Sequence, residues 1–262
     1  MEDGDHWYDL SKQPCHGASL SRARRQGLLP SFSTISDLEN RKELQNWILN
    51  ENIETARTTL ANGLGTFKYR DLIKNLTKEK TSKPSKTGSL FHDWIAKIIS
   101  GEKTVQQAPL EIQHLLSPAI KWWKKKEFLE VEVEQITINK AAGYGGTIDI
   151  AAKAKKPYGD AYLCIGDWKS KKTSPRDKII KPYPQHPEQI AAYAASRWPR
   201  EFLEKKVFGW NAFVSTTERN PDTKEARFEV VYYSPNDLLG HYLNFTHLLN
   251  FWINRNFDSR QK

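Results

Sequence analysis

Only two cysteines, Cys15 and Cys164, occur in 262 residues. That count excludes a disulfide framework and the usual four-cysteine iron–sulfur cluster, so no iron–sulfur cofactor is expected. No stretch is long and apolar enough to span a membrane. The opening Met1-Glu2-Asp3-Gly4-Asp5 is acidic and carries no apolar run, so neither a signal peptide nor a transit peptide is expected. These absences predict a cytoplasmic protein in a reducing setting, without a membrane partner. Internal repeats, a P-loop and a dinucleotide-binding motif are also missing.

Positive charge, by contrast, is plentiful. The net charge is +9 and the isoelectric point about 9.3, a balance that favours a polyanionic partner. Lysines recur in blocks at Lys121 and Lys124 to Lys126, at Lys153, Lys155 and Lys156, and at Lys169, Lys171 and Lys172. Each block alone describes a solvated face, but two of them flank the chemistry-bearing segment below, where a basic groove tracks phosphates. Most of the nine tryptophans are expected to fill the core, with Trp168 or Trp198 as candidates for stacking on a base.

The chemistry-bearing segment is Gly146-Thr147-Ile148-Asp149-Ile150, followed by Asp167-Trp168-Lys169. Gly146 to Ala152 and Ala161 to Lys169 have strand character, and Pro157-Tyr158-Gly159-Asp160 has turn character, which predicts a hairpin. With that turn at its centre, Asp149 falls within a residue of Asp167, and opposed Cβ atoms in such a pair lie about 5 Å apart. Two carboxylates at that separation repel unless a cation joins them. Alternation puts Asp167 and Lys169 on one strand face with Leu163 and Ile165, and Trp168, Gly166, Cys164 and Tyr162 on the other. Both faces are largely apolar, which predicts a central strand with its polar pair at one end.

Four pieces in chain order resemble the PD-(D/E)XK nuclease superfamily, and within it the RecB-type exonuclease group that includes phage exonucleases and the mitochondrial genome-maintenance exonuclease. Thr87-Gly88-Ser89-Leu90-Phe91-His92-Asp93-Trp94 is similar to the helix that opens the RecB-type core. Gly145-Gly146-Thr147-Ile148-Asp149 is similar to its glycine-rich strand, and Ile165-Gly166-Asp167-Trp168-Lys169-Ser170 to the strand with the second acid and the lysine. Gln189-Ile190-Ala191-Ala192-Tyr193 resembles the Q-x-x-x-Y helix of the subgroup. Leu29-Pro30-Ser31-Phe32-Ser33-Thr34-Ile35 also resembles the lead-in to the N-terminal helices of its phage and mitochondrial members.

The resemblance implies an α/β fold with a restriction-endonuclease-like core, a mixed central sheet flanked by helices, and an N-terminal helical extension. It implies His92, Asp149, Asp167 and the backbone carbonyl of Trp168 as ligands of Mg²⁺ or Mn²⁺, a choice that suits hard oxygen donors. Lys169 then orients or activates water, while Gln189 and Tyr193 hold the nucleic-acid backbone and support Lys169. Gln189 and Tyr193 are four apart and share a helix face, and Pro187 places Gln189 near that helix's N-terminus. An additional acid is implied near Glu132 or Glu134; Glu130, Glu132 and Glu134 alternate with valines and are expected on one strand face. Lys83, Lys86, Lys171 and Lys172 are candidate nucleic-acid contacts. The remaining histidines, among them His186, are expected to be structural or superficial.

Along the chain, residues 33–80 have helical character with Trp47, Ile48, Ile53, Leu60, Leu64, Leu72 and Ile73 as apolar positions. The polar run Lys78 to Gly88 has the composition of a basic loop, giving an N-terminal segment of residues 1–85 and a nuclease core of 86–262. A helix near Glu111 to Lys126, a strand pair at Val207 to Thr216 and Ala226 to Tyr233, and a helix capped by Ser234 complete the plan. The function expected is metal-dependent DNA exonuclease activity, preferentially on single strands, leaving 5′-phosphate and 3′-hydroxyl ends, in repair, recombination or replication of a bacterial or phage genome. A structure-specific or restriction-type endonuclease shares the same core chemistry, and a non-catalytic nucleic-acid-binding module is the alternative of another class.

Overall fold

A computed structural model describes residues 6–38, 50, 53–56 and 66–257. Its centre is a five-stranded sheet in the order β3-β4-β5-β6-β7, made of Phe128–Asn139, Tyr144–Tyr158, Ala161–Lys171, Val207–Arg219 and Ala226–Tyr233. Only β5 and β6 run parallel, and the chain passes between them through helices α5 (Gln185–Arg197) and α6 (Pro199–Leu203). The other neighbours are antiparallel. The protein is therefore α/β with a mixed sheet flanked by helices.

The expected hairpin is present, turning at Gly159, whose φ of 59° is the left-handed conformation that glycine adopts without strain. β5 is the central strand, and its two faces feed two cores. Leu163 and Ile165 pack on the side of α5 and α7 (Pro235–Phe257), whereas Cys164 and Trp168 pack on the side of α3 (Thr66–Ile99) and α4 (Leu110–Lys126). Four alanines, Ala191, Ala192, Ala194 and Ala195, are buried in α5 and bring that helix close to the sheet. α7 starts as the sequence predicts. The Asp237 N–H donates to Ser234 Oγ at 3.2 Å, and the Asp237 carboxylate accepts the Ser234 N–H at 2.9 Å. Leu238, Phe245, Leu249 and Trp252 then line its buried face.

The N-terminal residues join the same core. β1 (Trp7–Tyr8) pairs with β2 (Leu29–Pro30) around α1 (Leu20–Gln26), and Ser31 bridges to Gly145 of β4. Ser31 Oγ accepts the Thr34 N–H at 3.0 Å, capping a helix α2 described over residues 32–38. Trp7, Leu28, Phe32 and Ile35 are buried with Tyr144, Tyr193 and Phe245. Among the positions expected in the N-terminal helices, Trp47, Ile48, Leu60 and Leu64 lie outside the described residues.

The run 78–88 is helical rather than a loop, because α3 continues through it, so the boundary expected at residue 85 falls inside a helix. The C-terminal half of α3 is anchored by Phe91 and Ile95, which are 0% and 1% exposed. Burial of each is worth about 1.5–3 kcal/mol, which sets the pair against costs of about 1 kcal/mol for Gly88 and about 3 kcal/mol for Pro84 in the helix interior. Over the described residues no helix is long and apolar enough to cross a membrane.

Candidate active site

The sheet register builds the site. Val133 pairs with Ile150 and Gln135 with Ile148, so Glu134 stands opposite Asp149. Ile150 pairs with Gly166, and Asp149 and Asp167 are the next residues on each strand. Asp167 in turn pairs with Asn211. Glu134, Asp149, Asp167 and Asn211 thus form a row across four adjacent strands, three carboxylates and an amide.

Regular pairing of β4 with β5 ends at Ile150 and Gly166, and the Asp149 side chain takes over from the ladder. Its Oδ2 accepts the Trp168 N–H at 3.0 Å and lies 3.2 Å from His92 Nδ1. In an extended strand the N–H and C=O of one residue face the same edge, so the Trp168 carbonyl also faces the opening between β4 and β5. The Trp168 ring is 1% exposed and packs on Trp122 and Trp210, which excludes it as a platform for a base. Trp198 is only partly buried, beside Arg197.

His92 reaches Asp149 because α3 crosses β5 closely at Gly88. A Cβ there would stand 2.9 Å from Ser170 Oγ. Burial opposes protonation of His92, but the Asp149 charge and hydrogen bond outweigh it and raise the histidine pKa. For Asp149 the same balance runs in reverse: burial pushes its pKa up, and His92, Lys169 and the Trp168 N–H bring it below the ordinary carboxylate value.

Asp167 is 1% exposed and is held on both oxygens. Oδ1 accepts from Lys169 Nζ at 2.8 Å and Oδ2 from Asn211 Nδ2 at 2.7 Å. Burial nevertheless outweighs Lys169, and with Asp149 adjacent the Asp167 pKa is pushed up to about 6. Lys169 Nζ also donates to Gln189 Oε1 at 3.0 Å, and Gln189 Nε2 donates to the Tyr193 hydroxyl at 3.2 Å. Tyr193 is 5% exposed and sits behind Lys169, so it supports the lysine and does not form the cleft wall expected of a backbone contact. Its ring lies against Gly146, where a Cβ would stand 2.4 Å from Tyr193 Cε1.

The three glutamates of β3 do not share one face. Glu130 and Glu134 both adopt left-handed backbone, with φ of 46° and 52°, and the pairing shifts between Leu129 and Glu132. Glu130 pairs with Lys153 at 2.7 Å, and Glu132 is gripped by Arg197 at 2.7 and 3.1 Å. Glu134 is the one that meets the site: burial first, then the Asp149 charge, push its pKa up to about 7. Left-handed backbone at a non-glycine residue costs about 1–3 kcal/mol and concentrates at functional positions.

Glu134, His92, Asp93, Lys169 and Ser170 line a cleft of about 770 Å³ between α3 and the sheet. Lys86 is exposed on α3, the Lys83 side chain lies outside the described residues, and Lys171 and Lys172 continue from β5 into a loop. Sequence reasoning missed Asn211 and Tyr233, whose hydroxyl donates to Asn211 Oδ1 at 2.8 Å. A lone amide in the apolar run Val207 to Val214 was the available signal, since a buried polar group needs a partner. His186, expected to be structural or superficial, is buried, accepts the Tyr183 N–H, and is pushed down to about 3 by burial, Lys169 and Lys171.

Among the described residues no three His, Cys, Asp or Glu side chains converge tightly enough to hold a metal as they stand. The donor set is still suited to a hard divalent cation. Glu134 lines the cleft, with Asp149 and Asp167 beside it in the row, and the values of Glu134 and Asp167 are raised first by burial and then by the Asp149 charge, the part that a cation would relieve.

No family model matches the chain, and no curated protein matches it. Among solved structures the chain is similar to one described as "Crystal structure of SSO0001", at 15% identity, covering 80% of this chain and 86% of that chain, with a TM-score of 0.30. A likeness of that size carries no argument about fold or function.

Proposed function

We propose that this protein is a metal-dependent deoxyribonuclease of the PD-(D/E)XK type, acting as an exonuclease on single-stranded DNA. The observation that carries the reading is the row Glu134, Asp149 and Asp167 at the open end of the central strand, with Lys169 two residues beyond and hydrogen-bonded to Asp167. A protein that only binds nucleic acid gains nothing from carboxylates that repel phosphate.

Asp149, Asp167, Glu134 and the Trp168 carbonyl are the groups that would hold Mg²⁺ or Mn²⁺, with His92 as a nitrogen donor. Such an ion, when bound, offsets charge on the phosphoryl oxygens and acidifies water. The protein groups do the rest. Asn211 and Lys169 fix the orientation of Asp167, Gln189 fixes Lys169, and the Lys169 ammonium faces the cleft where it holds an attacking water or a phosphoryl oxygen. Hydrolysis joins the water oxygen to phosphorus and breaks the P–O3′ bond, and the proton ends on the departing oxygen, giving 5′-phosphate and 3′-hydroxyl products.

The test is digestion of linear single-stranded DNA, labelled separately at each end, beside a closed single-stranded circle, with Mg²⁺, Mn²⁺ or EDTA. Metal-dependent loss of the linear strand with the circle intact is expected, together with loss of activity in Lys169→Ala. Cleavage of the circle replaces the exonuclease by an endonuclease. Undiminished Mg²⁺-dependent hydrolysis by an Asp167→Ala, Lys169→Ala double variant overturns the site.

A further inference from the structure

We propose, resting on the nuclease reading above for its place beside the site, that the loop of residues 172–183 is a preformed track that holds the polynucleotide strand beyond the reacting phosphate.

The loop leaves β5 directly after the site and lines its own cleft of about 670 Å³ with Lys171, Lys172, Arg176, Lys178 and Lys181. Its shape is fixed from outside. Arg227 on β7 donates to the carbonyls of Asp177 at 2.6 Å and Lys178 at 3.0 Å, and Glu229 accepts the Ile180 N–H at 2.6 Å. At the other end the Thr173 N–H donates to Thr217 Oγ1 at 3.0 Å, and the Thr173 hydroxyl meets Ser215 at 2.6 Å. Ile180 is 2% exposed and plugs the loop into the protein.

The same latch leaves the cations unneutralised. Glu218 and Glu229, the acids beside the loop, are taken by Arg227, and Asp177 Oδ2 accepts the Ser174 N–H within the loop's own turn. Lys172, Arg176, Lys178 and Lys181 make no ion pair among the described residues, and all four side chains are exposed. Concentrated positive charge on a fixed backbone is costly unless an anion offsets it, and a strand of phosphates does so at regular intervals.

A base platform accompanies the charge. Tyr183 is 46% exposed, and Lys171 Nζ sits 3.9 Å from its ring centroid while donating to the Lys181 carbonyl. The ring is held by the cation and by His186, whose ring centroid is 5.3 Å away, and its exposed part is the surface offered to a stacked base. The two clefts share no lining residue, so a small phosphodiester held in the first does not need the loop, whereas a polymer has the length to engage both.

The experiment compares wild type with a triple variant, Arg176→Gln, Lys178→Gln, Lys181→Gln, and with Tyr183→Ala and Tyr183→Phe. The probes are a fluorescein-labelled oligothymidylate of twenty nucleotides, bound in Ca²⁺, and bis(p-nitrophenyl) phosphate, hydrolysed in Mn²⁺. The triple variant is expected to bind the oligonucleotide at least tenfold more weakly and to lower the slope of log K against log salt by about 2, three contacts at about 0.7 each. Its rate on the small diester is expected to stay at the wild-type value. Tyr183→Ala is expected to weaken binding about tenfold without changing the salt slope, and Tyr183→Phe to restore it. Wild-type affinity and slope in the triple variant overturn the proposal, as does an equal loss on the small diester, which would make the loop a support of the active site. If wild type hydrolyses neither probe while oligonucleotide binding still depends on these residues, the track stands and the nuclease reading falls.

Discussion

Asn211 Nδ2 donates to Asp167 Oδ2 at 2.7 Å in the interior of the sheet, with the two residues 0% and 1% exposed. The amide decides how Asp167 presents itself, because the other carboxylate oxygen is taken by Lys169. Replacing Asn211 by Leu leaves a buried carboxylate oxygen and the Tyr233 hydroxyl without partners. We expect a loss of about 1–3 kcal/mol in stability, and hydrolysis reduced more than substrate binding. Tyr233→Phe removes only the outer hydrogen bond and is expected to cost about 1 kcal/mol. Urea denaturation beside steady-state hydrolysis checks both.

Lys169 and Gln189 separate direct from supporting roles. Lys169→Ala is expected to lower the hydrolytic rate by about 10²- to 10⁴-fold, the range for a group that acts on the reacting atoms. Gln189→Ala removes one of two groups holding the ammonium and is expected to lose less, with Gln189→Glu recovering part of the rate by restoring an acceptor. Single-turnover digestion of a labelled strand gives the comparison.

Stability without divalent cations should fall as pH rises from about 4.5 to about 7. Glu134 and Asp167 have folded-state values pushed up to about 7 and about 6, so across that window the folded protein binds more protons than the unfolded chain. The raised His92 value acts in the same direction, its contribution being present below the ordinary histidine value and lost as pH rises through the folded one. Asp149, whose value is lowered, acts oppositely in more acidic solution, and His186, pushed from the ordinary 6.5 down to about 3, acts oppositely within the window, so it offsets part of the fall below about pH 6.5. Thermal unfolding across this range should show the fall in EDTA, a smaller one in Glu134→Gln, and a higher Tm on adding Mn²⁺ near pH 7. A pH profile in EDTA that Glu134→Gln leaves unchanged would contradict the packing of this acid.

Gly146→Ala should be severe for a residue that gains one methyl. Its Cβ would fall 2.4 Å from Tyr193 Cε1, so the tyrosine must move and Gln189 with it. We expect about 1–3 kcal/mol of destabilisation, together with loss of activity. Adding Tyr193→Leu to Gly146→Ala should return part of the stability and none of the lost Gln189 contact, which circular dichroism and hydrolysis would separate.

The positions of Asp149, Asp167 and Lys169 were legible because each strand rule is local. A turn brings the two strands together and the period of two assigns faces; the irregular pairing between Lys153 and Tyr158, which the sequence does not show, then completes the register that sets Asp149 beside Asp167. Gln189 and Tyr193 were legible as a helical pair for the same reason. The choice between Glu132 and Glu134 was not, since alternation gives them one face and only the shifted, left-handed backbone of β3 separates them. The run 78–88 misled for a related reason: Lys, Ser, Thr, Pro and Gly mark loops locally, yet α3 continues through them into a half anchored by Phe91 and Ile95.

By itself the sequence determined the hairpin, the central strand buried on both faces, the capped C-terminal helix and the spacing of the acids and the lysine, all of which follow from short-range periodicity and turn chemistry. Only the tertiary structure decided that Glu134 joins the carboxylate row, that Asn211 and Tyr233 stand behind Asp167, and that Tyr193 is buried behind Lys169. Those relations join residues distant in the chain, and their energies depend on which groups lose water together.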